Sequence, residues 1–261
     1  VIINFPMVEI GSKLYLEVEE TIEKPMIADL WSTVSALWKS YPLLKGPSFK
    51  ISSESPIFYK FHSFGTGIEK KVKLTKKRNS ENSRYELSFV TKEDLFYSVI
   101  EETAPYLVQT VPYMSFSTRG SYEKPFNPVA KEYAKRFSYV KAPQVIQDLV
   151  KGLSRKDGFL PNVKLLMKKI IDSFRYSGDW RTVEGAIYPR SFEEIQKTQY
   201  GDCKDFALLL VAALKELSYE VYPAFVYRAS YGVPLFLKFP LSSSFNHAIS
   251  LCQREGTVFL F

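Results

Sequence analysis

Cysteine and histidine each occur only twice among 261 residues, and one of each is set where nucleophilic chemistry could be done. Cys203 stands in Tyr200-Gly201-Asp202-Cys203-Lys204-Asp205, directly ahead of the apolar run Phe206-Ala207-Leu208-Leu209-Leu210. That run predicts a helix from Asp202 to Leu217. At its first turn, unpaired backbone N–H groups and the positive end of the helix dipole favour a thiolate over a thiol. A thiolate so placed is a nucleophile. Asp202 is positioned to cap the helix, and Gly201 lets backbone or substrate come close. Taken alone, Cys203 reads equally well as a small residue packed inside a helix. His247 shifts that balance. It lies in Phe245-Asn246-His247-Ala248-Ile249-Ser250-Leu251, at the entry to an apolar strand, and an imidazole carried across the helix start would act as general base. Cys252 lies at an odd offset from His247, so it faces the other side of that strand and reads as core. His62, in Tyr59-Lys60-Phe61-His62-Ser63-Phe64, has no cysteine or carboxylate near in sequence and reads as structural. So few histidines and cysteines make neither an ordinary His-rich metal centre nor a disulfide framework.

A helix that opens at Asp202 and a strand that opens at His247 must meet within an α+β framework. The helix is apolar almost all round, which predicts central burial. Val221 to Arg228, Leu235 to Phe239, His247 to Cys252 and Thr257 to Phe261 read as strands closing over it. Ahead of it, Asn127-Pro128 reads as the start of a helix through Phe137, and Pro143 as the start of another to about Leu153. Pro161-Asn162 opens a third, with Val163, Leu166, Ile170 and Phe174 on one stripe. Ser191 and Glu194, spaced as a capping box, start a short helix that Gly201 ends. Residues 1 to about 100 read as mostly strand: Lys13 to Glu19, Pro56 to Phe64, Lys70 to Lys76, Tyr85 to Val90 and Leu95 to Ile100. One helix, Met26 to Lys39, interrupts them, on the spacing of Ile27, Leu30, Val34 and Leu37. Pro105 to Pro125 reads as a linker that carries one strand, Tyr113 to Thr118. The expected organisation is a β-rich domain over 1–104 and an α+β domain over 105–261.

Gly201-Asp202-Cys203-Lys204-Asp205, the run Phe206 to Leu210, the strand Tyr222-Pro223-Ala224-Phe225-Val226 and Phe245-Asn246-His247-Ala248-Ile249 together resemble the transglutaminase-like superfamily of papain-related thiol enzymes. They are most similar to its bacterial and archaeal branch, whose nucleophile motif reads glycine, aspartate, cysteine, lysine, aspartate. The resemblance covers about residues 105 to 261, including the approach Tyr188-Pro189-Arg190, and leaves residues 1 to 100 outside. It implies that Cys203 heads a central buried helix packed on an antiparallel sheet, that His247 is its base, and that an aspartate from the following strand orients the imidazole. That acid falls at about the position after Phe261, so the domain is expected to be truncated at its C-terminus. Asn246 and Glu255 are the substitutes within the chain. The implied chemistry is acyl transfer on amide bonds of a protein or peptide. With water as acceptor this is a peptidase or amidase; with lysine it is a protein-glutamine transferase. No cofactor or metal is implied. The Cys203 N–H at the helix start is one oxyanion donor, and Tyr200 and Gln199 are candidates for a second.

A non-catalytic scaffold or binding module stays open, because the orienting acid is missing and the first hundred residues show no chemistry of their own. A redox thiol is disfavoured, since no second cysteine is placed to resolve it. The net charge of +7 arises from 35 basic residues interleaved with 28 acidic ones. Its densest cluster, Lys70, Lys71, Lys73, Lys76, Lys77 and Arg78, lies across a strand and hairpin turn and reads first as a solvated hairpin, with a contact surface for an anionic partner as the alternative. Without aromatic platforms at regular spacing, no nucleic-acid partner is expected. No apolar run is long enough to span a bilayer. The compartment is left unknown, with a soluble microbial chain, cytoplasmic or exported, as the expectation.

Overall fold

In a computed structural model describing residues 4–15, 17, 19, 21, 23, 25–36, 48–62, 67–92, 112–178, 183–228, 239–254 and 256–261, the apolar residues of the first half are gathered between two sheets. Strands β1 (Ser32–Ala36), β2 (Ser48–Ser53), β3 (Phe58–His62), β4 (Val72–Arg78), β5 (Tyr85–Thr91) and β6 (Tyr113–Ser117) form two antiparallel sheets, ordered β1-β6-β3 and β2-β5-β4. Alternation along β5 and β6 turns Leu87, Phe89, Met114 and Phe116 into one cluster with Ile57 and Val72. Phe49 fastens the sheets to each other, stacked on Phe89 and edge-on to Phe116, with both centroid distances 4.8 Å. On the outer face, Glu86 takes Lys50 at 3.3 Å and Lys77 at 3.5 Å.

Three expectations change here. The stretch from Met26 to Lys39 was expected as a helix, but Ser32–Ala36 is strand β1, paired with β6 from Ser32↔Ser117 to Ala36↔Tyr113. The helical spacing is incidental: Ile27 and Leu30 are buried while Val34 is 39% exposed. Thr33 and Val34 suit an edge strand, and pairing satisfies a side of β6 that would otherwise be left buried without partners. The strand expected inside a linker, beyond the boundary at 104/105, is β6 itself, central to its sheet and buried at all five positions. The described residues of Lys13 to Glu19 form no strand, and Leu95 to Ile100 lie outside the described residues, as do 235–238.

The second half is α+β. It runs α1 (Glu123–Arg136), α2 (Gln144–Val150), α3 (Phe159–Ser173), β7 (Arg175–Tyr176), α4 (Val183–Ile187), α5 (Phe192–Thr198), β8 (Tyr200–Gly201), α6 (Cys203–Glu216), β9 (Val221–Val226), β10 (His247–Arg254) and β11 (Thr257–Leu260). The last three form an antiparallel sheet with β10 central, and β7 and β8 pair in parallel. Helix α6 fills the middle of the core, as its all-round apolar character predicts. Leu208, Leu209, Val211 and Leu214 are fully buried among Leu149, Val163, Leu166 and Ile170 on one side and Val221 and Cys252 on the other. Helix α1 begins at Glu123, ahead of the Asn127-Pro128 pair expected to open it, and holds Pro128 in its interior. The start is anchored by Tyr122, whose hydroxyl reaches the Phe239 carbonyl and Ser244 Oγ, each at 2.6 Å.

The halves share apolar contacts. Ile27 and Leu30 pack with Val129 and Tyr133 of α1 and Ile187 of α4, and Ser32 Oγ accepts the Ser242 N–H at 2.8 Å. Among the described residues no helix is long and apolar enough to cross a membrane.

Candidate active site

The start of α6 is fixed by reciprocal carboxylate bonds. Asp202, in extended backbone, accepts the Lys204 N–H at 3.0 Å, and Asp205 reaches back to accept the Asp202 N–H at 3.0 Å. This capping box makes Cys203 the first helical residue. Asp205 is in turn gripped by Arg190, through its backbone N–H at 2.8 Å and its guanidinium at 2.9 Å and 3.2 Å. The same guanidinium covers the Tyr200 ring at 4.3 Å and donates to the Tyr200 carbonyl. Gly201 is needed for close approach: a Cβ there would sit 2.8 Å from Asp205 Cβ. Beneath Cys203, Lys204 and Asp202 form a buried ion pair at 2.5 Å.

The short ladder between β7 and β8 brings in a residue from another part of the chain. Tyr176 stands opposite Gly201, held by Arg175 N–H to Gln199 carbonyl at 2.9 Å and Ser177 N–H to Gly201 carbonyl at 2.8 Å. Its phenol lies close to Cys203 and lines the same cavity. Burial first, then the neighbouring Cys203 and Asp202, raises the phenol above the ordinary tyrosine value, so it keeps its proton and remains a donor.

His247 opens β10 opposite Val226. Its place is set by Asn246, whose N–H bonds the Val226 carbonyl at 3.1 Å. The Asn246 amide accepts the Arg228 N–H at 2.6 Å and donates to the Arg228 carbonyl at 2.8 Å. The ring is lowered below the ordinary histidine value, first by burial and then by Arg228, with Asp202 acting in the opposite sense. It is therefore neutral near pH 7 and able to take a proton. Cys203, His247 and Tyr176 line one cavity of about 740 Å³, walled further by Ile27, Val129, Ile187 and Phe225.

The other expected positions fall elsewhere. Gln199 caps the end of α5 in a left-handed conformation, and its side chain turns to the Gln196 carbonyl at 2.6 Å. The Tyr200 ring lies under Arg190, and neither residue lines the cavity that holds Cys203. The Asn246 amide is engaged with Arg228 rather than the imidazole, and Glu255 lies outside the described residues. Cys252 is fully buried in the core against α6. His62 is buried in the sandwich, stacked on Tyr113 with centroids 4.2 Å apart and 3.3 Å from Ser115 Oγ. Tyr176 and Arg228 line this cavity beyond the reach of sequence reading, because pairing and packing, not spacing, bring them there, and Arg190, part of the approach singled out in the sequence, grips Asp205 at the helix start. Among the described residues no group of three or more His, Cys, Asp or Glu side chains is gathered to hold a metal.

No protein-family model matches the chain, and no curated protein matches it in sequence. Among solved structures, a candidate protease from Parabacteroides distasonis superposes over 91% of this chain with a TM-score of 0.58 at 13% identity. The chain spans 44% of the length of that protein. At that identity the likeness is one of fold.

Proposed function

We propose that this chain performs cysteine-dependent acyl transfer on amide bonds, in the manner of the transglutaminase-like thiol enzymes. The observation that carries this reading is that Cys203, His247 and the Tyr176 phenol line one cavity, with the thiol at a helix start. In the proposed cycle His247 takes the Cys203 proton, and the thiolate so formed attacks the amide carbonyl. The developing oxyanion is met by the Cys203 N–H and the Tyr176 hydroxyl. The C–N bond then breaks, His247 gives its proton to the leaving amine, and a thioester remains on Cys203. His247 next takes a proton from water or from an acceptor amine, which attacks the thioester and releases the thiol. The orienting acid of the triad is proposed to follow Phe261. Phe261 and Ser250 exchange backbone bonds at 2.8 Å and 3.0 Å, so the next position in that register would share a strand face with His247. Hydrolysis is the favoured outcome, supported by a structural neighbour named as a candidate protease.

The test is incubation with a mixed peptide library, with and without an added primary amine, followed by mass spectrometry of products and hydroxylamine capture of the thioester. Cleaved or amine-coupled peptides that vanish in Cys203→Ala support the reading. A folded wild-type protein yielding no product and no captured acyl group overturns it in favour of a non-catalytic scaffold.

A further inference from the structure

The cavity that holds Cys203 and His247 has a charge imbalance. Among the described residues no carboxylate lines it, and the permanent cations that do are Lys204 and Arg228. Lys204 is neutralised from beneath by Asp202 at 2.5 Å. Arg228 is exposed and has no acidic partner among the described residues. The segment that follows it, Ala229 to Lys238, contains no acidic residue in its sequence.

The position of Arg228 is not incidental to the chemistry. Asn246, the residue immediately before His247, holds both backbone polar groups of Arg228 through its side-chain amide, at 2.6 Å and 2.8 Å. The guanidinium is therefore carried on backbone that is pinned to the start of the strand bearing the base, and its charge is felt at the imidazole. Much of the remaining wall, including Ile27, Val129, Phe225 and Phe245, is apolar. Low-dielectric walls strengthen the field of an uncompensated cation toward the cavity. A guanidinium is also the side chain best shaped to hold a carboxylate through two parallel bonds.

We propose that Arg228 reads a carboxylate carried by the acyl donor close to the reacting amide, so that the preferred substrate is an acidic peptide or amino-acid amide with an apolar neighbour. This rests on the reading of Cys203 as the nucleophile. Binding of such a substrate also removes the cation's pull on His247, restoring base strength at the moment the base is needed.

The test compares two alkylating agents of the same size and mechanism, anionic iodoacetate and neutral iodoacetamide, on Cys203. It is run at pH 8 and low salt, where the imidazole is neutral, and read by mass spectrometry. In Arg228→Gln the iodoacetate-to-iodoacetamide rate ratio is expected to fall about three- to fivefold, and in Arg228→Lys to fall less, since the charge is kept and only the paired donors are lost. The neutral reagent serves as the internal control for any change in the thiol or in folding. An unchanged ratio in Arg228→Gln, with Cys203 still reacting faster than Cys252, overturns the proposal and leaves the nucleophile in place. If Cys203 reacts no faster than Cys252 with either reagent, the nucleophile reading fails and takes this proposal with it.

Discussion

Burial and Arg228 hold His247 below the ordinary histidine range, and Asp202 pulls the other way, so its proton-accepting form extends to lower pH than that of a free imidazole. The rate of acyl transfer by free enzyme and substrate should accordingly fall on its acid side below about pH 6.5. Arg228→Gln removes a positive charge and should move that limb to higher pH, measured as a pH profile of kcat/KM. Tyr176→Phe keeps the ring and deletes the donor. It is expected to lower kcat by roughly 10²- to 10³-fold with little change in KM, and an unchanged kcat would remove the phenol from the mechanism. His62 makes a separate prediction. Desolvation first, and Lys60 next, lower it from 6.5 to about 4, so the unfolded chain binds the extra proton first as pH falls. Stability is then full above about pH 6.5 and is lost progressively toward pH 4, and chemical denaturation should show that acid slope flattened in His62→Phe. Of these residues, Cys203 and His247 were legible because scarce reactive types stood at a helix start and a strand start. Tyr176 was not, since a parallel pairing with Gly201 brings it in from a distant segment. Gln199 and Tyr200 were expected near the thiol because they are its neighbours in sequence. A left-handed turn at Gln199 and the Arg190 guanidinium over the Tyr200 ring direct both elsewhere.

At the level of elements, the reactive position depends on how tightly α6 begins. Asp205 is 3% exposed and carries both the capping bond to Asp202 and the Arg190 pair. Asp205→Ala leaves a cation without its partner and a helix without its cap. It should destabilise the fold by about 3 kcal/mol and slow any reaction of Cys203, read by thermal unfolding and alkylation together. Gly201→Ala places a methyl group 2.8 Å from Asp205 Cβ, where helix backbone must shift to relieve it. A loss of about 1–3 kcal/mol is expected, and a neutral effect would show the close approach to be dispensable. Helices α3, α5 and α6 were readable because each carries an apolar stripe or a side-chain cap within its own residues. Strand β1 was not readable, because its partner β6 is far away in sequence and Ile27 and Leu30 imitate a helical period while packing against a different part of the protein.

Over the whole molecule, the first half does more than stand beside the candidate enzyme. Ile27 lines the cavity that Cys203 faces, and with Leu30 it completes a cluster whose other members, Val129, Tyr133 and Ile187, belong to the second half. Leu30→Ala should therefore destabilise by about 2–5 kcal/mol and lower the stability of both halves, visible when tryptophan fluorescence and far-ultraviolet dichroism are followed in the same melt. That dependence was beyond sequence reading, which divided the chain at 104/105 and left the first part without a role. The account as a whole requires that a sulfur on one buried helix and an imidazole on one strand act on each other. This is tested most directly by the rate at which iodoacetamide modifies Cys203 at pH 7 in wild type and in His247→Ala. The prediction is that Cys203 reacts at least tenfold faster than the buried Cys252 and loses most of that advantage when the imidazole is removed. Equal rates at Cys203 with and without His247 would contradict it.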